Sequence, residues 1–161
     1  MADSIVKSGI NELVTRLTAY SFPELESGTG AWTVNTVETN PRELTKFRPP
    51  VIYLYWNPTP AGIDYENVGQ WMVTYSMQAT LRVKRYKDPD DTGIKLAQYL
   101  QQAIWKNTSG VVDPNLNGYA GNLLFKDVEV DYGDAREPII DVHITFDVVF
   151  LYKMTDPTSI T

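Results

Sequence analysis

The sequence predicts an α+β fold: one domain spanning 1–161, with a mixed, mostly antiparallel β-sheet and two helices packed on one face. Two long stretches of strict two-residue alternation, Trp71 to Tyr86 and Ile139 to Lys153, predict the sheet. Two stretches of helical periodicity predict the helices, and Gly- and Pro-bearing joints predict that most strands meet as hairpins.

The first helix runs from about Ser4 to Ala19, with Ile10, Leu13, Val14 and Leu17 as its apolar stripe, until Phe22 and Pro23 end it. A short strand follows around Trp32, Val34 and Thr36. Pro41, Pro49 and Pro50 then bracket a connector carrying Arg42, Lys46 and Arg48. Val51 to Trp56 is continuously apolar or aromatic, which fits a strand buried on both faces or one whose second face meets another subunit. Pro58, Pro60 and Gly62 interrupt regular structure, so Asn57 to Gln70 is expected to project as an arm.

In the first long strand, Trp71, Val73, Tyr75, Met77, Ala79, Leu81 and Val83 share one face, with Thr74, Ser76, Gln78, Thr80, Arg82 and Lys84 on the other. At ~3.3 Å per residue each long strand reaches roughly 50 Å, so its overhang must bend, twist or pair with something else, a partner chain above all. Asp88 to Thr92 supplies capping residues for a second helix with the stripe Leu96, Ala97, Leu100, Ala103 and Ile104. Asn107 to Gly121, rich in Asn and Gly, reads as a surface loop. Leu124, Val128, Val130 and Tyr132 alternate with Phe125, Asp127, Glu129 and Asp131 in a strand that forms a hairpin with the last one. There Ile140, Val142, Ile144, Phe146, Val148, Phe150 and Tyr152 share a face, and residues 154–161 form a flexible tail.

Composition narrows the function. The absence of Cys excludes disulfides, thiolate metal sites and thiol nucleophiles, which fits a reducing compartment such as a cytoplasm. The N-terminal residues lack the pattern of an export signal, and no apolar run approaches the ~20 residues of a membrane span, so no membrane partner is expected. A net charge of −6 disfavours nonspecific attraction to DNA or anionic lipid.

Catalytic chemistry finds little material, and no enzyme, metal or cofactor is expected. The single His, His143, lies on the polar side of a strand without a serine elbow or cysteine beside it. Asp127, Glu129 and Asp131 read as a solvated strand face rather than a metal site. Asp88, Asp90 and Asp91 sit where a helix N-terminus favours negative charge. Gly28 and Gly30 lack the third glycine and the lysine of a nucleotide loop. Asn107, Thr108 and Ser109 match a glycosylation triplet by coincidence.

Surfaces are better represented. Tyr53, Tyr55, Trp56, Tyr65 and Trp71 flank the 57–70 segment, and Ile63, Tyr65 and Val68 give that segment sparse apolar contacts, a composition that fits an interface, with burial in the core as the alternative. Arg82, Lys84, Arg85 and Lys87 form a basic cluster, which fits pairing between subunits with the acidic strand Asp127 to Asp131, an ordinary solvated strand face, or phosphate binding.

Taken together, the helix with Ile10 to Leu17, the Trp71 to Tyr86 strand, the Gly93 to Trp105 helix and the closing hairpin resemble the tail terminator, or tail completion, proteins of long-tailed bacteriophages. The resemblance rests on element order, size and acidity. It implies a hexameric ring in the virion, at the head–tail junction, assembled in the host cytoplasm. The ring would cap the tail tube, dock the head connector and let genomic DNA pass without specific binding. Another head–tail connector, a tail tube component or a nucleic-acid-binding module are the alternatives.

Overall fold

The computed structural model describes residues 4–43, 46–67, 70–84, 88–133 and 139–153. Helix α1 spans Ile5–Ala19 and helix α2 spans Pro89–Trp105, while the strands are β1 (Thr36–Thr39), β2 (Val51–Trp56), β3 (Gly62–Asn67), β4 (Gln70–Lys84), β5 (Asn122–Asp131) and β6 (Ile139–Lys153). They form one six-stranded sheet in the order β1-β2-β4-β6-β5, with β3 also paired to β4. Among the described strands, β1 and β2 run parallel and the other pairings are antiparallel.

Both helices start on side-chain caps. Ser4 accepts from the Lys7 amide, and Asp88 accepts from the Asp91 amide, with Asp90 and Asp91 adding negative charge to the first turn of α2. Asp88 to Thr92 is therefore a cap and a helical turn rather than a separate connection. Ile10, Leu13 and Leu17 of α1 join Leu96, Leu100, Ala103 and Ile104 of α2 in one core cluster, together with the even-numbered residues Ile140 to Phe150 of β6. Two glycines permit close approach. A Cβ on Gly9 would stand 2.5 Å from a Phe150 ring carbon, and one on Gly93 would meet the Tyr132 hydroxyl at 2.8 Å.

The long strands overhang less than their length implies, because they pair with each other along all fifteen residues, from Gln70↔Lys153 to Lys84↔Ile139. The outer edge of β4 is then shared. β2 covers the rows from Met77 to Arg82, and β3 covers the rows from Gln70 to Thr74. The two strands are consecutive and point the same way along β4, so they amount to one strand broken by residues 57–61. Pro58 and Pro60 cause the break, since proline cannot donate to a ladder. The Ala61 amide already bonds the Thr74 carbonyl. The expected arm is thus a five-residue excursion followed by a paired strand.

Two further expectations are corrected, and for β2 the first of two readings holds. The strand around Trp32 begins later, at Thr36, because Trp32 is held by Phe22 in an isolated two-hydrogen-bond bridge with rings stacked 4.5 Å apart. The β2 residues Val51 to Leu54 are buried on both faces within the chain itself, Phe47 of the connector lying against Tyr53 at 6.2 Å between ring centroids. In β5 the register shifts between Phe125 and Asp127. This bulge at Lys126 reverses the alternation, so Leu123 is fully buried while Leu124, expected inside, is 50% exposed. Arg85, Tyr86, Lys87 and residues 154–161 lie outside the described residues.

Candidate functional site

The polar face of the sheet is a run of cross-strand pairs between β4 and β6. At one end Arg82 donates to both carboxylate oxygens of Asp141, at 2.8 Å each, and its guanidinium lies 5.7 Å from the Tyr53 ring. The hydrogen bonds that Asp141 accepts push the Arg82 pKa further up. In the next row the Thr80 hydroxyl is 2.8 Å from His143 Nδ1, with the Gln78 amide nitrogen 3.3 Å from the same atom. Farther along, Ser76 donates to Asp147 at 2.7 Å, and Lys126 completes that carboxylate at 2.8 Å.

Such a face presents neighbours that satisfy one another rather than a nucleophile beside a base. Ser76 is bound to Asp147, two rows from His143, so the two do not form a dyad. Among the described residues, no three His, Asp or Glu side chains gather as a metal site. Asp127, Glu129 and Asp131 are spread along the edge strand in separate rows, opposite Thr145, His143 and Asp141. Nor, among those residues, is any helix long and apolar enough to cross a membrane.

The aromatic residues expected to cluster fall into two groups. Tyr55 and Trp56 close β2, and the ring centroid of Trp56 is 6.5 Å from that of Tyr75 on β4. Burial, then the neighbouring Tyr53, pushes the Tyr55 hydroxyl pKa up. Trp71 lies at the far end of β4, where its backbone pairs with Tyr65 and Tyr152. Trp56 is opposite Met77, six residues from Trp71, which puts about 20 Å between the two groups at the rise of a strand. Val68 lies outside the described residues. Ile63 is 59% exposed although its ladder partner Val73 is fully buried, so β3 carries an apolar side chain into solvent.

Between the ends of β2 and β3 the edge of β4 is uncovered, and a groove of about 470 Å³ forms among Asn40, Tyr55, Trp56, Pro58, Ser76 and Gln78. The Asn40 side chain fixes its rim by accepting from the Trp56 amide at 2.8 Å.

The basic and acidic groups proposed to meet between subunits stand differently. Arg82 is already held by Asp141 in its own chain, which leaves Lys84 exposed and without an ion pair among the described residues. Glu129 and Asp131 are exposed on the edge strand β5.

The sequence reading missed Arg16, which is 2% exposed. It binds Glu12 within α1 and reaches the 107–121 segment, donating to the Asp113 carbonyl at 2.8 Å and to the Asp113 carboxylate. That segment is consequently folded onto the body, with Leu116 fully buried. An arginine one position before Leu17 of the apolar stripe, four after Glu12, was the available signal.

No protein-family model matches the chain, and no curated protein matches it.

Proposed function

We propose that the protein is a noncatalytic tail terminator of a long-tailed bacteriophage, a ring of six copies that caps the tail tube, ends its polymerisation and offers a docking face to the head connector. The observation that carries this reading is the sheet: two fifteen-residue strands paired end to end, with the paired polar face described above and exposed edges at β5 and β3. A surface of that kind is suited to assembly, and the chain's net charge of −6 suits a channel through which DNA slides without adhering. The tube protein and the connector protein are the proposed partners, the groove by Tyr55 and Trp56 and the exposed Ile63 being the proposed contacts. The virion's head–tail junction is the proposed location.

Electron microscopy of the purified protein with and without tail tubes tests the reading. Rings seated on tube ends are expected. A protein that stays monomeric and leaves tube length uncontrolled overturns it. Nucleic-acid binding through the basic cluster is less favoured, because Arg82 is neutralised by Asp141.

A further inference from the structure

Where β2 begins and β4 ends, a cleft of about 340 Å³ is lined by Trp32, Arg48, Pro49, Pro50, Val83 and Lys84. Its two cations are exposed, and neither has an acidic partner among the described residues. Its frame is well fixed. The Asn35 side chain donates to the carbonyls of Arg48 and Pro49 at 3.0 and 3.2 Å, and its backbone amide donates to that of Pro50 at 2.8 Å. Trp32 is pinned by stacking on Phe22 and by donating from Nε1 to the Pro23 carbonyl at 3.1 Å.

The opposite edge of the sheet is β5, which among the described strands pairs with β6 alone. It is a poor template for a further strand. The bulge at Lys126 breaks its line, and the amides of Leu123 and Val128 are taken at 2.9 Å by the side chains of Asn122 and Asp127. What it offers instead is carboxylates. Glu129 and Asp131 are exposed and have no ion pair among the described residues.

Register relates the two features. Asp131 pairs with Asp141, Asp141 with Arg82, and Arg82 with Val51, so one row runs from the acidic edge across to the strand that Arg48 leads into. Acids and cleft therefore lie at the same end of the sheet, in opposite halves. The margin opposite β5 is β1, whose first residue Thr36 pairs with Val51 in that same row, so a second copy placed alongside in the same orientation brings its acids to the end of the sheet at which the cleft of the first opens.

We propose that Glu129 and Asp131 on the β5 edge of one copy dock into the Arg48–Lys84 cleft of a second copy. The contact is head to tail, so it leaves a free cleft and a free acidic edge for further copies and can close into a ring. The proposal rests on the ring reading above and supplies its subunit contact, with Arg48 in the place that Arg82 was expected to fill. Guanidinium and carboxylate form charge-assisted hydrogen bonds, and the attraction between exposed charges weakens with salt. A nucleic-acid phosphate would suit the same cations, but a chain of net charge −6 that carries matching acids favours its own copy.

The test is sedimentation of the full chain with the paired charge reversals E129K/D131K and R48E/K84E, at low and high salt. Each variant alone should associate about tenfold or more weakly than wild type, and an equimolar mixture should regain association, since alternating copies restore every contact, half of them with wild-type charges and half with the signs exchanged. Unchanged melting temperatures show that the variants fold; if a reversal unfolds, the neutral E129Q/D131N pair should still weaken association. The proposal is overturned if either reversal associates like wild type, if mixing restores nothing, or if R48E/K84E loses salt-dependent duplex DNA binding while association is intact. Wild-type rings indifferent to all four charges would remove this contact and leave the ring reading standing. Association that follows the charges but never caps a tube would do the reverse.

Discussion

Arg82 and Asp141 face each other directly across the β4–β6 ladder and share two parallel hydrogen bonds of 2.8 Å, although 59 residues separate them in the chain. Their side chains are 18% and 15% exposed, so the pair is too dry to be an ordinary surface ion pair and too wet for the full cost of a buried one. Arg82→Met should cost about 1.5–3 kcal/mol by leaving the carboxylate short of two charge-assisted bonds. The double variant with Asp141→Leu should recover part of that in urea denaturation. Purely additive losses would mean that the pair contributes no coupling.

Arg16 should matter more. It is the larger burial, and Arg16→Met would take the cation from the Asp113 carboxylate, leaving it the amides of Asn115 and Asn117, and would remove this tie between α1 and the 107–121 segment. A loss of about 3–5 kcal/mol is expected, accompanied by faster proteolysis within residues 107–121. Wild-type cleavage rates in the variant would show that other contacts hold the segment.

Helix propensity and packing make opposite forecasts at Gly9. An alanine there gains about 1 kcal/mol of propensity, but its methyl carbon would stand 2.5 Å from Phe150, a fully buried ring on β6. Overpacking of about 1–3 kcal/mol should win, so Gly9→Ala lowers the melting temperature. Gly62→Ala is the control, since nothing lies within 4 Å of the added carbon, and its effect should stay within about 0.5 kcal/mol.

Replacing Gly62 to Gly69 by a short Gly/Ser linker should lower the melting temperature, because β3 completes the edge of β4 from Gln70 to Thr74. Ile63→Ser should leave it within about 0.5 kcal/mol of wild type, since the side chain is mostly in solvent. If the proposed function is right, the same variant caps tail tubes poorly in a length-control assay. Normal capping would remove Ile63 from the contact surface.

Burial raises the pKa of Tyr20, Tyr53, Tyr55 and Tyr75 above the ordinary value of 10.0. Below pH 10 these hydroxyls are protonated in folded and unfolded chains alike, and their contribution to stability is fully present. As the pH rises beyond that, the unfolded chain loses protons first, so stability should fall. Urea midpoints measured from pH 8 to 11, beside ultraviolet titration of the phenols, check the sign. A midpoint that holds or rises above pH 10 contradicts it.

The elements were legible wherever a period ran unbroken. The apolar stripes of α1 and α2 and the alternate faces of β4 and β6 follow from spacing alone, because burial repeats with the backbone geometry. Leu124 was misplaced because a one-residue bulge at Lys126 shifts the period and has no periodic mark of its own. Gly62 to Asn67 reads as part of an arm because Pro58 and Pro60 signal a break without saying how soon pairing resumes. The candidate surface was less legible than the fold. The exposure of Glu129 and Asp131 is local and could be read, but the partner of Arg82 and the cleft behind Arg48 depend on residues distant in the chain.

The place of β6 also governs how the molecule comes into being. It lies between β4 and β5, yet of all the described elements it is the last to leave the ribosome. Until then β4 offers a fifteen-residue row of unsatisfied amides and carbonyls, and β5 has nothing to pair with. Pairing between segments this far apart is slow, on the order of milliseconds to seconds for sheet-dominated chains. The nascent chain therefore passes through a period of vulnerability to aggregation once β4 and β5 have emerged, and that period ends when the fifteen-residue β6 slots between them.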